Sequence, residues 1–186
     1  MPGTPVIRYG DEIGMGEDLS LNEREATRTP MQWTGEAQGG FSRASKTVLP
    51  VVEGGIFGYE HVNVDAQRRD PDSFMNWIAR LIRVRKECME IAWGKCEVLE
   101  TDAQPVLALA CRFRGAAMVT LHNFSDAAQT LHLKLKDPGG ERLVDLLAQE
   151  HSTADNRGTH EIALDAYGYR WYRVGAVDET LIRAPF

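Results

Sequence analysis

The chain has 186 residues, 43% of them hydrophobic, and carries 21 basic against 27 acidic side chains for a net charge of −6. That is enough apolar content to bury a core in one or two domains. The acidic balance argues against nucleic acid or an anionic membrane as partner, since both are gripped by basic patches.

The first readable element is Pro5–Tyr9, a short apolar run that stops at Gly10. Such a run, bounded by proline and glycine, fits a strand buried on both faces, as in a parallel sheet. Asp11 and Glu12 then stand where ligands gather in such sheets, beyond the strand's carboxyl end. Turn chemistry offers a plainer role for both, solvating a bend. Residues 17–25 are acidic and polar, an exposed loop or short irregular helix. Pro30 disfavours helix at Thr29, so Arg28-Thr29-Pro30 should hold an extended, rigid shape. Residues 34–58 show no sustained period, and a connection this long is often functional.

Asp70-Pro71-Asp72-Ser73 reads as a helix start, with Asp70 as N-cap and proline at the first helical position. Phe74, Trp77, Ile78, Leu81, Ile82 and Cys88 follow at helical spacing, with Arg80, Arg83, Arg85 and Lys86 as a solvated face. The helix should end near residues 87–90. After Gly94 the period falls to two. Leu107, Leu109, Cys111 and Phe113 alternate with Ala108, Ala110 and Arg112, and Arg114-Gly115 turns the chain into Met118–Phe124. Leu131, Leu133 and Leu135 alternate with His132, Lys134 and Lys136. Asp137-Pro-Gly-Gly140 is a turn, Arg142–Leu147 another short strand, and Tyr167–Val174 the last. Strands without intervening helices indicate an antiparallel sandwich. Tyr169, Trp171 and Tyr172 are better read as packing than as a sugar platform.

The three cysteines, Cys88, Cys96 and Cys111, are an odd number without metal spacing, so buried free thiols and a reducing cytoplasm are expected. The five histidines form no ligand cluster, and no zinc, calcium or phosphate-loop pattern occurs. No metal and no cofactor are therefore expected. No leader-like start and no span-length apolar run is seen, which suits a soluble protein.

Gly3–Gly16 followed by Arg28-Thr-Pro-Met-Gln-Trp33 resembles the eighth strand and following loop of glycoside hydrolase family 13, the α-amylase superfamily. Residues 58–73 and Asp165–Arg173 are similar to its trehalose synthase branch, the maltose α-D-glucosyltransferases; the RTPMQW signature is shared with oligo-1,6-glucosidases. The resemblance implies a mixed fold: residues 1–93 as the last strand and helix of a (β/α)8 TIM barrel, residues 94–186 as an antiparallel β-sandwich. It also implies that the catalytic carboxylates, carried on earlier barrel strands, are not in this chain, so no residue here is assigned a catalytic role. Asp11 and Glu12 cannot replace them, because sequence neighbours leaving a strand point apart and a retaining pair needs carboxyl groups about 5 to 5.5 Å from each other.

By the same resemblance Arg28 grips the transferred glucose, together with an acidic residue from an early loop. Glu12, with Asp11 second, lines the acceptor glucose, and one of the two only braces the loop. Gln32 and Trp33 orient this wall. Without the family context Arg28 would be an ordinary surface ion pair. The implied ligands are maltose, trehalose and glucose, with the remainder of the barrel as the required partner. Two alternatives stay open: an α-glucosidase with the same clamp, or a stand-alone carbohydrate-binding module.

Overall fold

The computed structural model describes residues 3–175 and divides the chain into two compact units, one spanning Pro5–Ile82 and the other taking in the chain from Arg83 onward. The first unit is largely loop. Short 3-10 turns at Asp11–Ile13, Glu23–Thr27 and Ala37–Gly40 precede helix α1 (Val64–Arg69) and helix α2 (Phe74–Glu87), which runs across the division. A small apolar centre of Ile13, Met31 and Val64, with Met15, Val62 and Met75 against it, is too small to hold so much irregular chain. Side-chain-to-backbone bonds do the rest. Gln67 on α1 donates to the Ile13 carbonyl at 2.7 Å and accepts the Met75 N–H at 2.8 Å. Its own carbonyl takes the Ser73 hydroxyl at 2.7 Å and the Asn76 amide at 3.0 Å. One residue thus fixes the loop before α1 and the start of α2. Asn63 caps α1 by accepting the Ala66 N–H at 2.8 Å.

Two expectations for this unit are corrected. Residues 5–9 form no strand, and Val6 is 90% exposed. A strand buried on both faces needs a neighbour on each edge to take its backbone bonds, and none of the described strands lies beside it. Gly10, at φ 95°, then turns the chain, and a Cβ there would lie 3.0 Å from Met15. The second correction is the helix start. Asp70 ends α1, and its side chain accepts the Asp72 N–H at 2.9 Å in a local turn. The α2 helix begins at Phe74, with Ser73 accepting from the Asn76 N–H at 3.3 Å through its hydroxyl and from the Trp77 N–H at 2.9 Å through its carbonyl. No residue of α2 is fully buried, so its apolar stripe is only half covered.

In the second unit, helix α3 (Met89–Trp93) leads into strands β1 (Lys95–Leu99), β2 (Val106–Phe113), β3 (Ala116–Asn123), β4 (Gln129–Lys134), β5 (Arg142–Asp145), β6 (Ser152–Thr153), β7 (Thr159–Leu164) and β8 (Tyr169–Val174). Every pairing is antiparallel. One sheet has the order β1-β2-β3-β8-β5-β6, and β4 pairs with β7 in a second. Between them lies the core: Val106, Ala108, Val119, Leu121, Leu131, Leu133, Leu143, Ile162, Leu164 and Tyr172. The small residues of β2, not its leucines, face this core. Leu109, Cys111, Met118 and Trp171 are buried on the opposite face, where α3 packs across β2 and β3. The last strand starts at Tyr169; Tyr167 lies outside it at φ 54° and is 68% exposed. Of the segment expected as sandwich, residues 176–186 lie outside those described.

The cysteine expectation also changes. β1 sets Cys96 directly opposite Cys111 of β2, and their sulfurs are bonded. Only Cys88 is a free, buried thiol, which burial pushes up to about 11. Local pattern does not carry this pairing: polar and apolar residues alternate through residues 95–98, but which strand lies opposite, and in what register, is set only by the fold. Arg112 ties the same edge together: it bonds Glu97 of β1 at 2.6 Å and holds Asp137 in a two-point grip. That guanidinium keeps the Asp137 carboxyl below its usual range.

Two outcomes test this packing. Glu90 of α3 is 4% exposed and faces the Arg173 guanidinium of β8 at 3.5 Å. Removing one partner strands a buried charge, so Glu90→Ala should lower unfolding free energy by about 3 kcal/mol in denaturant titration; a loss under half a unit would show that α3 docks by apolar contact alone. Asp102 accepts both the backbone N–H of His132 at 2.8 Å and a hydrogen bond with its Nδ1 at 2.7 Å, which raises the imidazole above its ordinary 6.5. A raised folded value favours the protonated form, so this contribution is full below the unfolded value and is lost as pH rises through the folded one. NMR titration should place His132 above a free histidine, and Asp102→Asn should bring it down.

Candidate functional site

The first unit contains an open cavity of about 1030 Å³ built on irregular chain. Arg28 lines it, immediately after the turn Glu23–Thr27, its N–H closing that turn on the Glu25 carbonyl at 3.0 Å. The guanidinium is exposed and has no acidic partner among the described residues. Next to it Thr29 is 1% exposed, with a hydroxyl that finds no hydrogen bond. The wall behind is fixed by Gln32, fully buried, whose amide donates to the carbonyls of Phe57 at 3.0 Å and Val62 at 2.6 Å. The Tyr9 hydroxyl takes the Met31 N–H at 3.2 Å and joins residue 9 to the same wall. Trp33 is 44% exposed; its N–H donates to the Gly39 carbonyl at 2.8 Å and its own carbonyl accepts the Asp65 N–H at 3.0 Å.

Asp11 and Glu12 do not line this cavity. Asp11 accepts the Arg8 N–H at 2.8 Å and pairs with its guanidinium at 3.5 Å, bracing the turn. Glu12, half-buried, accepts the Gly10 N–H at 2.9 Å through one oxygen and leaves the other free. The structure therefore separates the three predicted site residues into Arg28 in the cavity and two carboxylates on the turn beside residue 10. It brings to the cavity three cations that sequence reasoning passed over: Arg8, Arg24 and Lys46. They lie on separate loops with no common period, so no pattern could have grouped them.

Other candidates fall away. Trp171 and Tyr172 are buried, and burial raises the Tyr172 phenol to about 12. Tyr169 stacks with His122 at 6.4 Å between centroids. His61 is exposed and its N–H meets only the Gly58 carbonyl. Among the described residues no group of three histidines, cysteines or carboxylates is placed to hold a metal ion, and no helix is long and apolar enough to cross a membrane.

Comparison with known proteins places these features. Residues 1–94 match the family model for the α-amylase catalytic domain, and residues 115–173 that for the C-terminal domain of sucrose hydrolase-like proteins. Trehalose synthase of a Pimelobacter species is 33% identical over 97% of the chain, and trehalose synthase/amylase of Mycolicibacterium smegmatis 31% identical over 96%. The chain spans about a third of the length of each. Trehalose-6-phosphate hydrolase of Bacillus licheniformis shares the fold at a TM-score of 0.71 and 21% identity, over 94% of this chain and 36% of that one. With half of its length matched by the catalytic-domain model, the chain belongs to the α-amylase family, glycoside hydrolase family 13.

Proposed function

We propose that the chain is the C-terminal part of a trehalose synthase, a maltose α-D-glucosyltransferase, in which residues 1–93 complete the barrel and residues 94–186 form the sandwich domain. The observation that carries this reading is 33% identity, sustained over 97% of the chain, to a protein of that name. The complete enzyme would form a covalent glucosyl intermediate from maltose, keep the freed glucose, and join the two in a new orientation. This chain supplies part of the sugar-binding wall and not the nucleophile or proton donor. Its setting would be the cytoplasm by its likeness to trehalose synthases alone, since the Cys96–Cys111 bond removes the free-thiol argument.

Arg28 is the clamp. A planar guanidinium can hydrogen-bond a sugar hydroxyl and a carboxylate from one rigid fork, and here it stands in the cavity with no acidic partner taken. Glu12 meets the acceptor glucose through its free oxygen, while Asp11, held by Arg8, braces the turn. Closing the pocket against water decides between transfer and hydrolysis.

Two experiments test the proposal. Pure chain incubated with maltose should yield neither trehalose nor glucose above a buffer control, and turnover lost in Asp11→Asn or Glu12→Gln would overturn it. A chimaera carrying the N-terminal two-thirds of the Pimelobacter enzyme should convert maltose to trehalose; glucose as the sole product would assign an α-glucosidase instead. In that chimaera Arg28→Ala and Arg28→Lys should each lower kcat/KM by about ten- to a thousandfold, or roughly 1.4 to 4 kcal/mol. Lysine keeps the charge and loses the fork, so it should recover little. A folded Arg28→Ala chimaera of near-normal kcat/KM would make Arg28 a surface residue.

A further inference from the structure

The cavity holding Arg28 is unbalanced in charge. Four cations line it, Arg8, Arg24, Arg28 and Lys46, and no carboxylate does. Arg8 is engaged by Asp11 at 3.5 Å and Glu17 at 3.4 Å, both in exposed pairs. The other three have no acidic partner among the described residues. In a chain of net charge −6 this concentration of positive charge runs against the composition. Like charges facing one cavity repel, and an anion placed among them relieves that repulsion while gaining each attraction.

We infer that this cavity is a binding site for a phosphate group, free or carried on a sugar. Arginine forks match phosphate oxygens two at a time, and lysine adds a point charge. Thr27, Ser42 and Thr47 lie on the same lining; the Thr27 and Thr47 hydroxyls donate to the Arg24 carbonyl and to Gln38, the Ser42 hydroxyl accepts the Ala44 N–H and keeps its own proton to give, and the buried Thr29 hydroxyl lacks a partner. The rings of Tyr9 and Phe41, 54% and 47% exposed, also border the cavity and offer apolar faces to a sugar ring. This site shares Arg28 with the glucose clamp but does not depend on glucosyl transfer.

The test therefore uses Arg24 and Lys46, both exposed, on the chain alone. Amide NMR spectra would be followed while inorganic phosphate, and separately glucose 1-phosphate, replaces chloride at constant ionic strength, so that screening stays fixed. Saturable shifts confined to residues 8–9, 24–30 and 41–49 are expected. The double variant Arg24→Gln, Lys46→Gln should weaken binding about tenfold or more, with its remaining spectrum unchanged. Tighter binding of glucose 1-phosphate, lost in Phe41→Ala, would assign the sugar-borne group; equal affinities would assign free phosphate. Absence of saturable shifts, or the same affinity in the double variant, would overturn the site, whereas the transferase reading stands or falls on the chimaera's products.

Discussion

The pairing of β3 with β8 is the constraint on which the second unit rests. Met118–His122 lies against Tyr169–Arg173, so strands about fifty residues apart become neighbours in the middle of the larger sheet. Because β8 also pairs with β5, the late strand joins the β1-β2-β3 meander to the β5-β6 edge. Its alternation then serves two layers at once. Tyr172 enters the sandwich core, whereas Trp171 and Arg173 face α3, where Arg173 meets Glu90. A single-residue slip would exchange these faces, placing a guanidinium in the apolar core. Closing that long loop costs little more entropy than closing a shorter one, but it must come before the core it creates can repay it.

The first unit is held on a different principle. It has little apolar volume, and its shape depends on amides that reach backbone carbonyls across sequence separations of 25 to 54 residues. Gln32 and Gln67 are each linked to two segments, so each acts as a splice between loops with no ladder of their own. Such bonds are directional, which would suit the proposed clamp, where a guanidinium has to stand at a fixed place. They also leave the unit with few contacts to lose before it opens, the low-stability end from which binding loops are drawn.

How much of this was legible follows from what each feature depends on. The alternation in residues 129–134 is a local record of one buried face, and the Asp137-Pro-Gly-Gly turn is local chemistry; both could be read directly, whereas residues 106–113 show a strand but not that both its faces are covered. The Cys96–Cys111 bond depends on which strand β1 lies against and in what register, which no local pattern supplies, and so it could not. At residues 5–9 the apolar run led to a buried strand that the structure does not show, because burial there needs sheet neighbours and none of the described strands supplies them. Arg28 was singled out only through the RTPMQW motif, since nothing local distinguishes an exposed arginine after a 3-10 turn, and what the structure adds is its place on the cavity lining. Arg24 and Lys46 have no motif at all, and only the folded loops bring them to the same cavity.

The two readings of the cavity place different demands on the same charges. A glucose clamp needs Arg28 neutralised by a carboxylate, because positive charge develops on the sugar ring in the transition state and an unscreened cation would oppose it. One carboxylate answers one arginine. It leaves Arg24 and Lys46 facing the same space without a counter-charge, and no feature of a neutral disaccharide explains why they are there. A phosphate dianion does, since it matches the surplus in both sign and number. The proposed clamp and the proposed anion site, taken together, would share Arg28 and assign residues 24 and 46 to the anion, while the carboxylates of the turn at residue 10, outside this lining, would serve the sugar alone.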